Sequence, residues 1–239
     1  MISTNELFEK IRSINTSESG CFLHYNVDLD LKLFIDKVSE FTFFKIINSF
    51  EGPFTIIKDL GINSADYSKQ SGFFDFHTDG LYNQNNIPSL VFLYCKTKGK
   101  QINHTTFIDG NSFSKLIVEK RSLLNKLSLV FVNRNGEDIE NNLIQIHKWT
   151  NEILIILGDR AFIRPRKSIE AKEYPTLREI SEITNKIFSI IKEGNKIIHT
   201  WENNDLLIFD NQRFLHSRQG KETDIERELI RICLDKKNY

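Results

Sequence analysis

Cysteine and proline are scarce in this 239-residue sequence, which has three cysteines and four prolines. Cys21, Cys95 and Cys233 are odd in number, widely spaced and form no CxxC pair. Such a set favours buried thiols in a reducing compartment and argues against a disulfide framework. Because few prolines, no internal repeat and no linker rich in Pro or Ser interrupt the chain, we predict a single domain over residues 1–239.

An excess of charge of either sign is also lacking, because 32 basic residues balance 32 acidic residues. A neutral chain is not expected to track the phosphates of a nucleic acid. No apolar run approaches the roughly 18 residues of a membrane-spanning helix, and the polar N-terminus lacks the pattern of a secretory signal. The sequence, which is 40% hydrophobic, therefore predicts a folded cytoplasmic protein that binds neither nucleic acid nor membranes.

Hydrophobic periodicity predicts helices and many short strands. Helices are predicted from a capping box at Ser3 and Glu6, over residues 30–41 and 112–120, and from Pro175 to Gly194. The predicted strands are short apolar runs between polar turns: 21–25, 54–58, 73–77, 89–96, 105–109, 127–133, 142–147, 153–157, 197–201, 206–209 and 228–234. This pattern is typical of an antiparallel sandwich or barrel. We predict a mostly-β fold with helices outside one sheet, in which residues 1–70 form a helix and strand layer and residues 71–239 the core.

The motifs of several common enzyme classes are missing. The sequence contains no GxxxxGK[ST] or GxGxxG phosphate loop, no GxSxG elbow and no HExxH zinc helix. What remains is the run His77-Thr78-Asp79. On an extended strand, residues i and i+2 point to the same side, so His77 and Asp79 could offer a nitrogen and a carboxylate oxygen to one ion. Alone this pair is a weak signal, because an HxD spacing often arises by chance.

A second group of polar residues lies near the C-terminus. The run 201–218 predicts a strand, a tight turn, a second strand and then an exposed His216. In the following strand, Arg227 and Arg231 share the face opposite a plainly apolar one. Two inward arginines require an anionic partner, because a buried unpaired guanidinium is costly. The alternative for Arg227 is a surface ion pair with Glu226 or Glu228.

Together these pieces resemble the taurine dioxygenase/clavaminate synthase family of Fe(II)- and 2-oxoglutarate-dependent oxygenases. Each piece is weak, but all occur in the order of that family between about residues 73 and 234. The matching runs are Phe76-His77-Thr78-Asp79-Gly80, the strand 88–95, the run 105–109, the block Trp201…Asp205…Asp210-Asn211…His216, and Arg227-Glu228-Leu229-Ile230-Arg231. The resemblance implies a double-stranded β-helix core, also called a jelly-roll or cupin-like fold.

The resemblance also implies a site. His77, Asp79 and His216 would be the facial ligands of Fe(II), leaving open positions for 2-oxoglutarate and O2. Arg227 would hold the far carboxylate of 2-oxoglutarate in a charge-assisted pair, and Thr105 would add a hydroxyl. Thr106 is the alternative to Thr105 in the register of the strand, and Thr105 could instead be an ordinary strand residue.

The substrate implied by the resemblance is a small molecule with an acid group. In family members with the Arg-x-x-x-Arg pattern, the second arginine grips an acid of the primary substrate, which suggests a carboxylate or sulfonate on Arg231. The opposite assignment, with Arg231 on 2-oxoglutarate, and a structural ion pair both stay open. Tyr82 and Asn83, which follow the first motif, are further candidates for substrate contact or turn residues.

The predicted reaction is hydroxylation of a C–H bond of a small acid, such as a free amino acid, with release of succinate and CO2. Desaturation or cyclisation by the same iron chemistry remains an alternative. So do a jelly-roll module that binds metal or a small acid without turnover, and a zinc hydrolase. His24, His147 and His199 are interpreted as packed or surface histidines rather than ligands.

Overall fold

The structure, a computed structural model, describes residues 1–12, 21–40, 44–49, 51–58, 60, 74–81, 87–100, 104–132, 138–158, 161–219 and 226–237. Within these ranges the α-helices are Thr4–Arg12 (α1), Leu31–Glu40 (α2), Ser114–Leu124 (α3) and Leu177–Glu193 (α4). The strands are Ile2–Ser3 (β1), Phe22–Asp28 (β2), Phe44–Ile46 (β3), Thr55–Lys58 (β4), Phe74–His77 (β5), Leu90–Thr97 (β6), His104–Asp109 (β7), Leu127–Val132 (β8), Asp138–Asn142 (β9), Ile144–Ile146 (β10), Ile153–Ile155 (β11), Phe162–Pro165 (β12), Lys196–Thr200 (β13), Asp205–Asp210 (β14), Phe214–Gln219 (β15) and Glu228–Lys236 (β16). None of the described helices is long and apolar enough to cross a membrane.

Two sheets form the centre of the fold. The larger sheet has the order β1-β2-β14-β6-β16-β3, with β4 also pairing with β16, and the smaller has the order β13-β7-β15-β5. Every pairing in both is antiparallel except that of β1 with β2. The N-terminal strands β2, β3 and β4 thus lie in the same sheet as the C-terminal β16. This pairing ties strands β2, β3 and β4 of the predicted N-terminal layer to the predicted core, and the single domain stays a prediction.

The space between the two sheets is filled by large apolar side chains from both. Phe107 of β7 meets Phe22 and Phe209, which belong to the larger sheet, with ring centroids 5.0 Å apart in each case. The other members of this inner layer are Val91, Leu93, Cys95, Trp201, Leu207, Phe214 and Leu229. Because these rings occupy most of the interior, the polar residues between the sheets are confined to the space that remains at its margin.

Helices cover the outer faces of both sheets. Helices α1 and α2 pack on the larger sheet through Leu7, Phe34 and Val38. Helices α3 and α4 pack outside the smaller sheet, where Ile187 joins the cluster that contains Leu215 of β15. The prediction of helices outside one sheet is therefore wrong. Covering both faces explains why β6 and β14 are apolar on consecutive positions, since such strands have no exposed face.

The helix ends follow the sequence signals. Ser3 and Glu6 form the predicted capping box, in which the Ser3 amide donates to Glu6 Oε2 at 2.7 Å. Thr176 and Glu179 form a second capping box at the start of α4, which ends at Gly194. Helix α3 begins two residues later than predicted, because a 3₁₀ turn capped by the Asp109 carboxylate comes first.

The predicted exposure of His216 is wrong. His216 lies within β15, which is hydrogen-bonded between β7 and β5, and it is 6% exposed. The sequence analysis also missed β1, β3, β9 and β12. These strands are short or polar, so their pattern resembles that of loops.

Gly110 lies where the turn after β7 touches the turn that leads into β15. Its amide donates to the carbonyl oxygen of Arg213 at 2.8 Å, and a Cβ at this position would lie 2.8 Å from that same oxygen. We therefore expect Gly110→Ala to lower the free energy of unfolding by about 1–3 kcal/mol, through displacement of backbone. Urea denaturation measures this, with the exposed Ser112→Ala as control; equal stability of the two variants would contradict the close approach.

Candidate metal centre

Strands β5 and β15 bring the two predicted halves of the site together. His77 ends β5 and is the direct partner of His216 in the antiparallel register, and their ring centroids are 4.2 Å apart. Asp79 follows β5, with its Oδ2 atom 3.5 Å from His216 Nε2 and its Oδ1 atom 3.9 Å from His77 Nε2. One nitrogen or oxygen from each residue lies within 4.8 Å of the other two. The three residues therefore converge on one point from two strands and a turn.

The backbone sets the tautomer of His77. Its Nδ1 lies 2.8 Å from the carbonyl oxygen of Asp75, an acceptor, so Nδ1 carries the proton and the Nε2 lone pair faces the cluster. Burial, assisted by the neighbouring His216, lowers the pKa of His77 to about 3. The imidazole is therefore neutral at physiological pH, which is the state that binds a metal.

Asp79 is ionised although it is only 6% exposed. Burial alone would raise the pKa of Asp79, but the Arg231 guanidinium, together with His216, holds it well below its usual range. Arg231 Nη1 donates to Asp79 Oδ1 at 2.6 Å, a short charge-assisted hydrogen bond. Arg231 thus compensates one half of a buried carboxylate that would otherwise be costly.

The second oxygen of the Asp79 carboxylate is placed where it can bind a cation. Among the described residues, the buried Oδ2 atom of Asp79 has no hydrogen-bond partner, although it faces the ring of His216. Two imidazoles and one carboxylate that converge on one point are the donor set of the 2-His-1-carboxylate triad, which binds ferrous iron. The residues present therefore fit the ion that the sequence predicts.

Asn211 holds the turn that carries Asp79. Its fully buried amide accepts the backbone N–H of Asp79 at 2.9 Å and donates to the carbonyl oxygens of Asp79 and Pro88 at 3.1 and 3.0 Å. The amide thereby joins the tip of the β14–β15 hairpin to the segment after β5. Sequence reasoning placed Asn211 in a motif but gave it no role; its position directly after a buried strand was the available signal.

A pocket adjoins the three residues and contains the other predicted side chains. Its lining includes Thr105 of the smaller sheet, Arg231 of the larger sheet, and Arg227. Its remaining walls are Ile57, Phe74, Leu93, Ser217, Arg218 and Leu229. Arg227 is 3% exposed, so the alternative of a surface ion pair for this residue is wrong. Arg218 is a pocket residue that the sequence analysis did not single out.

Thr105, rather than Thr106, lines this pocket, so of the two threonines it is Thr105 that faces the candidate site. The indole Nε1 of Trp201 donates to Thr105 Oγ1 at 2.8 Å, so this buried tryptophan fixes the hydroxyl as well as filling the core. Tyr82 and Asn83 lie outside the described residues. The three cysteines are free thiols, and burial raises the pKa of each to about 12, so none supplies a thiolate near neutral pH.

Comparison with known proteins adds a family and a fold. The family model described as "Taurine catabolism dioxygenase TauD, TfdA family" matches residues 30–233. No curated protein matches the sequence. Among solved structures, PvcB, described as an Fe, alpha-ketoglutarate dependent oxygenase from an isonitrile synthetic pathway, is 14% identical with a TM-score of 0.67, over 97% of this chain and 80% of its own.

Two further structures give the same result. PvcB from Pseudomonas aeruginosa is 16% identical with a TM-score of 0.60, over 96% of this chain and 79% of its own. A taurine dioxygenase from Burkholderia xenovorans is 14% identical with a TM-score of 0.65, over 98% of this chain and 82% of its own. At such identities the likeness establishes the fold, and the predicted jelly-roll core is confirmed.

Replacement of Asn211 tests whether its side-chain amide holds the turn that carries Asp79. We expect Asn211→Ala to weaken ferrous iron binding about 10- to 100-fold, as for other groups that orient a ligand. It should also lower the free energy of unfolding by about 1–3 kcal/mol, since buried polar groups lose their partners. Chelator competition and urea denaturation measure the two effects, with the exposed Asn142→Ala as control. Unchanged iron affinity in the first variant would refute the role.

Proposed function

The chain belongs to the taurine catabolism dioxygenase TauD, TfdA family, and from this premise we propose that it is an Fe(II)- and 2-oxoglutarate-dependent oxygenase that hydroxylates a small, acid-bearing substrate. The observation that supports this proposal most directly is the convergence of His77, Asp79 and His216 beside a pocket whose lining includes Arg227 and Arg231. A free amino acid or a related metabolite is the proposed substrate class. Succinate and CO2 are the proposed coproducts.

The three convergent residues hold the iron. His77 and His216 would each supply a ring nitrogen and Asp79 one negative charge, so a bound ferrous ion would keep a net positive charge and attract an anionic cosubstrate. When bound, the iron supplies the activation of dioxygen that oxidises 2-oxoglutarate and the substrate. The chain's own task is to fix the geometry and exclude water, and the aromatic rings of Phe74, Phe107 and Phe209 around the two imidazoles serve both purposes.

Arg227 and Thr105 are proposed to hold 2-oxoglutarate. A buried guanidinium presents a planar fork that matches a carboxylate, and burial strengthens this attraction. The Thr105 hydroxyl already accepts the Trp201 indole N–H, so its own proton is available for an acceptor on the cosubstrate. Thr105, Arg227 and the iron ligands line one pocket, which supports this assignment.

Arg231 is proposed to bind the acid group of the primary substrate. It lines the same pocket, and its guanidinium, which donates to Asp79, places a positive charge beside the three convergent residues. This charge favours an anionic group of the substrate at the same place. An acid gripped at this point would lie next to the metal, which is where a reactive C–H bond must be placed.

Loss of one imidazole tests the iron chemistry. We expect His216→Gln to reduce oxygen-dependent succinate release by more than about 100-fold. Loss of a group that only orients a metal ligand already lowers metal affinity or activity about 10- to 100-fold. The visible charge-transfer band of ferrous protein with 2-oxoglutarate should also disappear. The matched control is His104→Gln, a half-buried histidine of β7 outside the pocket, which should retain activity.

Absence of 2-oxoglutarate turnover by iron-loaded wild-type protein, with a panel of amino acids and other small acids, would refute the proposed reaction. Metal binding that does not respond to 2-oxoglutarate would identify a binding module instead. A product lighter by two mass units than the substrate, rather than heavier by one oxygen, would identify desaturation or ring closure.

The proposed roles of Arg227 and Arg231 are distinguished by which Michaelis constant each substitution raises. We expect Arg227→Lys to raise the KM for 2-oxoglutarate about 10- to 100-fold, because lysine keeps the charge but loses the bidentate fork. Arg231→Lys should raise the KM for the primary acid by a similar factor and leave that for 2-oxoglutarate nearly unchanged. Steady-state succinate assays measure both. The reverse pattern would assign the cosubstrate to Arg231 and overturn the proposal.

A further inference from the structure

A second cluster of metal-ligating side chains lies at another edge of the interface between the sheets. We propose that His24, His199 and Asp205 bind a second divalent metal ion, such as Zn²⁺. One ligand atom from each residue lies within 4.8 Å of the other two. His24 belongs to β2 and Asp205 to β14 of the larger sheet, whereas His199 belongs to β13 of the smaller sheet. This site is separate from His77 and does not depend on the proposed oxygenase function.

Two distances within this cluster are close to those between the ligands of one ion. The two oxygens of Asp205 divide between the histidines: Oδ1 lies 3.1 Å from His24 Nε2, and Oδ2 lies 3.3 Å from His199 Nε2. Tetrahedral zinc with bonds of about 2.0–2.1 Å keeps its ligand atoms about 3.3 Å apart. An ion can therefore enter between the carboxylate and the imidazoles with small side-chain rotations.

The contact of His199 with Asp205 is incomplete as a hydrogen bond. His199 Nε2 is buried and makes no hydrogen bond within the described part of the chain, despite its short distance from Asp205. Burial lowers the pKa of His199, so its ring is neutral near pH 7 and available as a ligand. This nitrogen and the Asp205 oxygens lie close together, as two ligands of one ion do.

Outer contacts orient two of the three ligands. The backbone N–H of Glu202 donates to Asp205 Oδ2 at 2.8 Å, which fixes the carboxylate. The ring of His199 packs edge-on against Trp201, with centroids 4.6 Å apart. The side chain of His24 is 49% exposed, so the cluster opens to solvent on that side and has room for a water molecule as the fourth ligand.

A bound ion would join the two sheets at this edge. The ion would also be connected to the pocket through a single residue, because Trp201 packs against His199 and donates a hydrogen bond to Thr105. We therefore expect zinc to raise the thermal midpoint of unfolding through this cluster, because a ligand that binds only the folded state stabilises it. The alternative is a plain ion pair between Asp205 and a protonated histidine, which takes no metal.

Zinc stoichiometry in single and double variants tests the site. Equilibrium dialysis against Zn²⁺ with elemental analysis should find two zinc ions per wild-type chain and one in His24→Gln. His216→Gln, which lacks a ligand of the first cluster, should keep one zinc, and the double variant should keep none. His104→Gln is the matched control and should keep two.

Asp205→Asn provides a second test that preserves the shape of the ligand. It should reduce zinc bound at this cluster as His24→Gln does, while circular dichroism verifies the fold of each variant. The inference would be overturned if His24→Gln bound as much zinc as the wild type. It would also be overturned if zinc were lost only from variants of the first cluster. Failure of 2-oxoglutarate turnover would leave these zinc measurements unaffected, so the two proposals can fail separately.

Discussion

Burial of the ionised Asp79 carboxylate between two sheets is the constraint on which the rest of the site depends. A buried charge is costly unless it is paired and hydrogen-bonded, and Asp79 has Arg231 at 2.6 Å and His216 at 3.5 Å. These partners come from β16 and β15, so the strands must hold one register. A slip of one residue in β15 would exchange His216 for Leu215, which packs into the opposite layer.

The hairpin between β14 and β15 keeps that register through polar contacts at its turn. Asp210 accepts the backbone N–H groups of Gln212 and Arg213 on one oxygen, and its other oxygen lies 2.8 Å from His147 Nε2. Arg213 reaches back to Asp109 at the end of β7 with two parallel hydrogen bonds of 2.8 and 2.9 Å. The strand that carries His216 is thus fixed at its start by groups outside the metal-binding cluster, which leaves the interior face for chemistry.

How much of this could be predicted differs from residue to residue. The period of two in a strand placed Arg227 and Arg231 on one face, and both line the same pocket. Local signals also correctly placed the start of α1 and both ends of α4. The burial of His216 could not be predicted, because it results from pairing with two distant strands and the local run Phe-Leu-His-Ser-Arg-Gln is ambiguous. The distribution of the helices over both sheets was predicted wrongly for the same reason, since a local pattern does not say which sheet a helix covers.

The pairing of Arg231 with Asp79 joins residues 152 positions apart in the sequence, and this separation has a consequence for synthesis. On the ribosome, His77 and Asp79 emerge well before the strand that carries Arg231, because Arg231 follows Asp79 by 152 positions. Until then the carboxylate lacks its guanidinium, and the larger sheet lacks β16 between β6 and β3. Contacts of such long range also slow folding. A nascent chain that still lacks β16 therefore has no assembled pocket, so binding of the proposed iron has to follow synthesis of that strand.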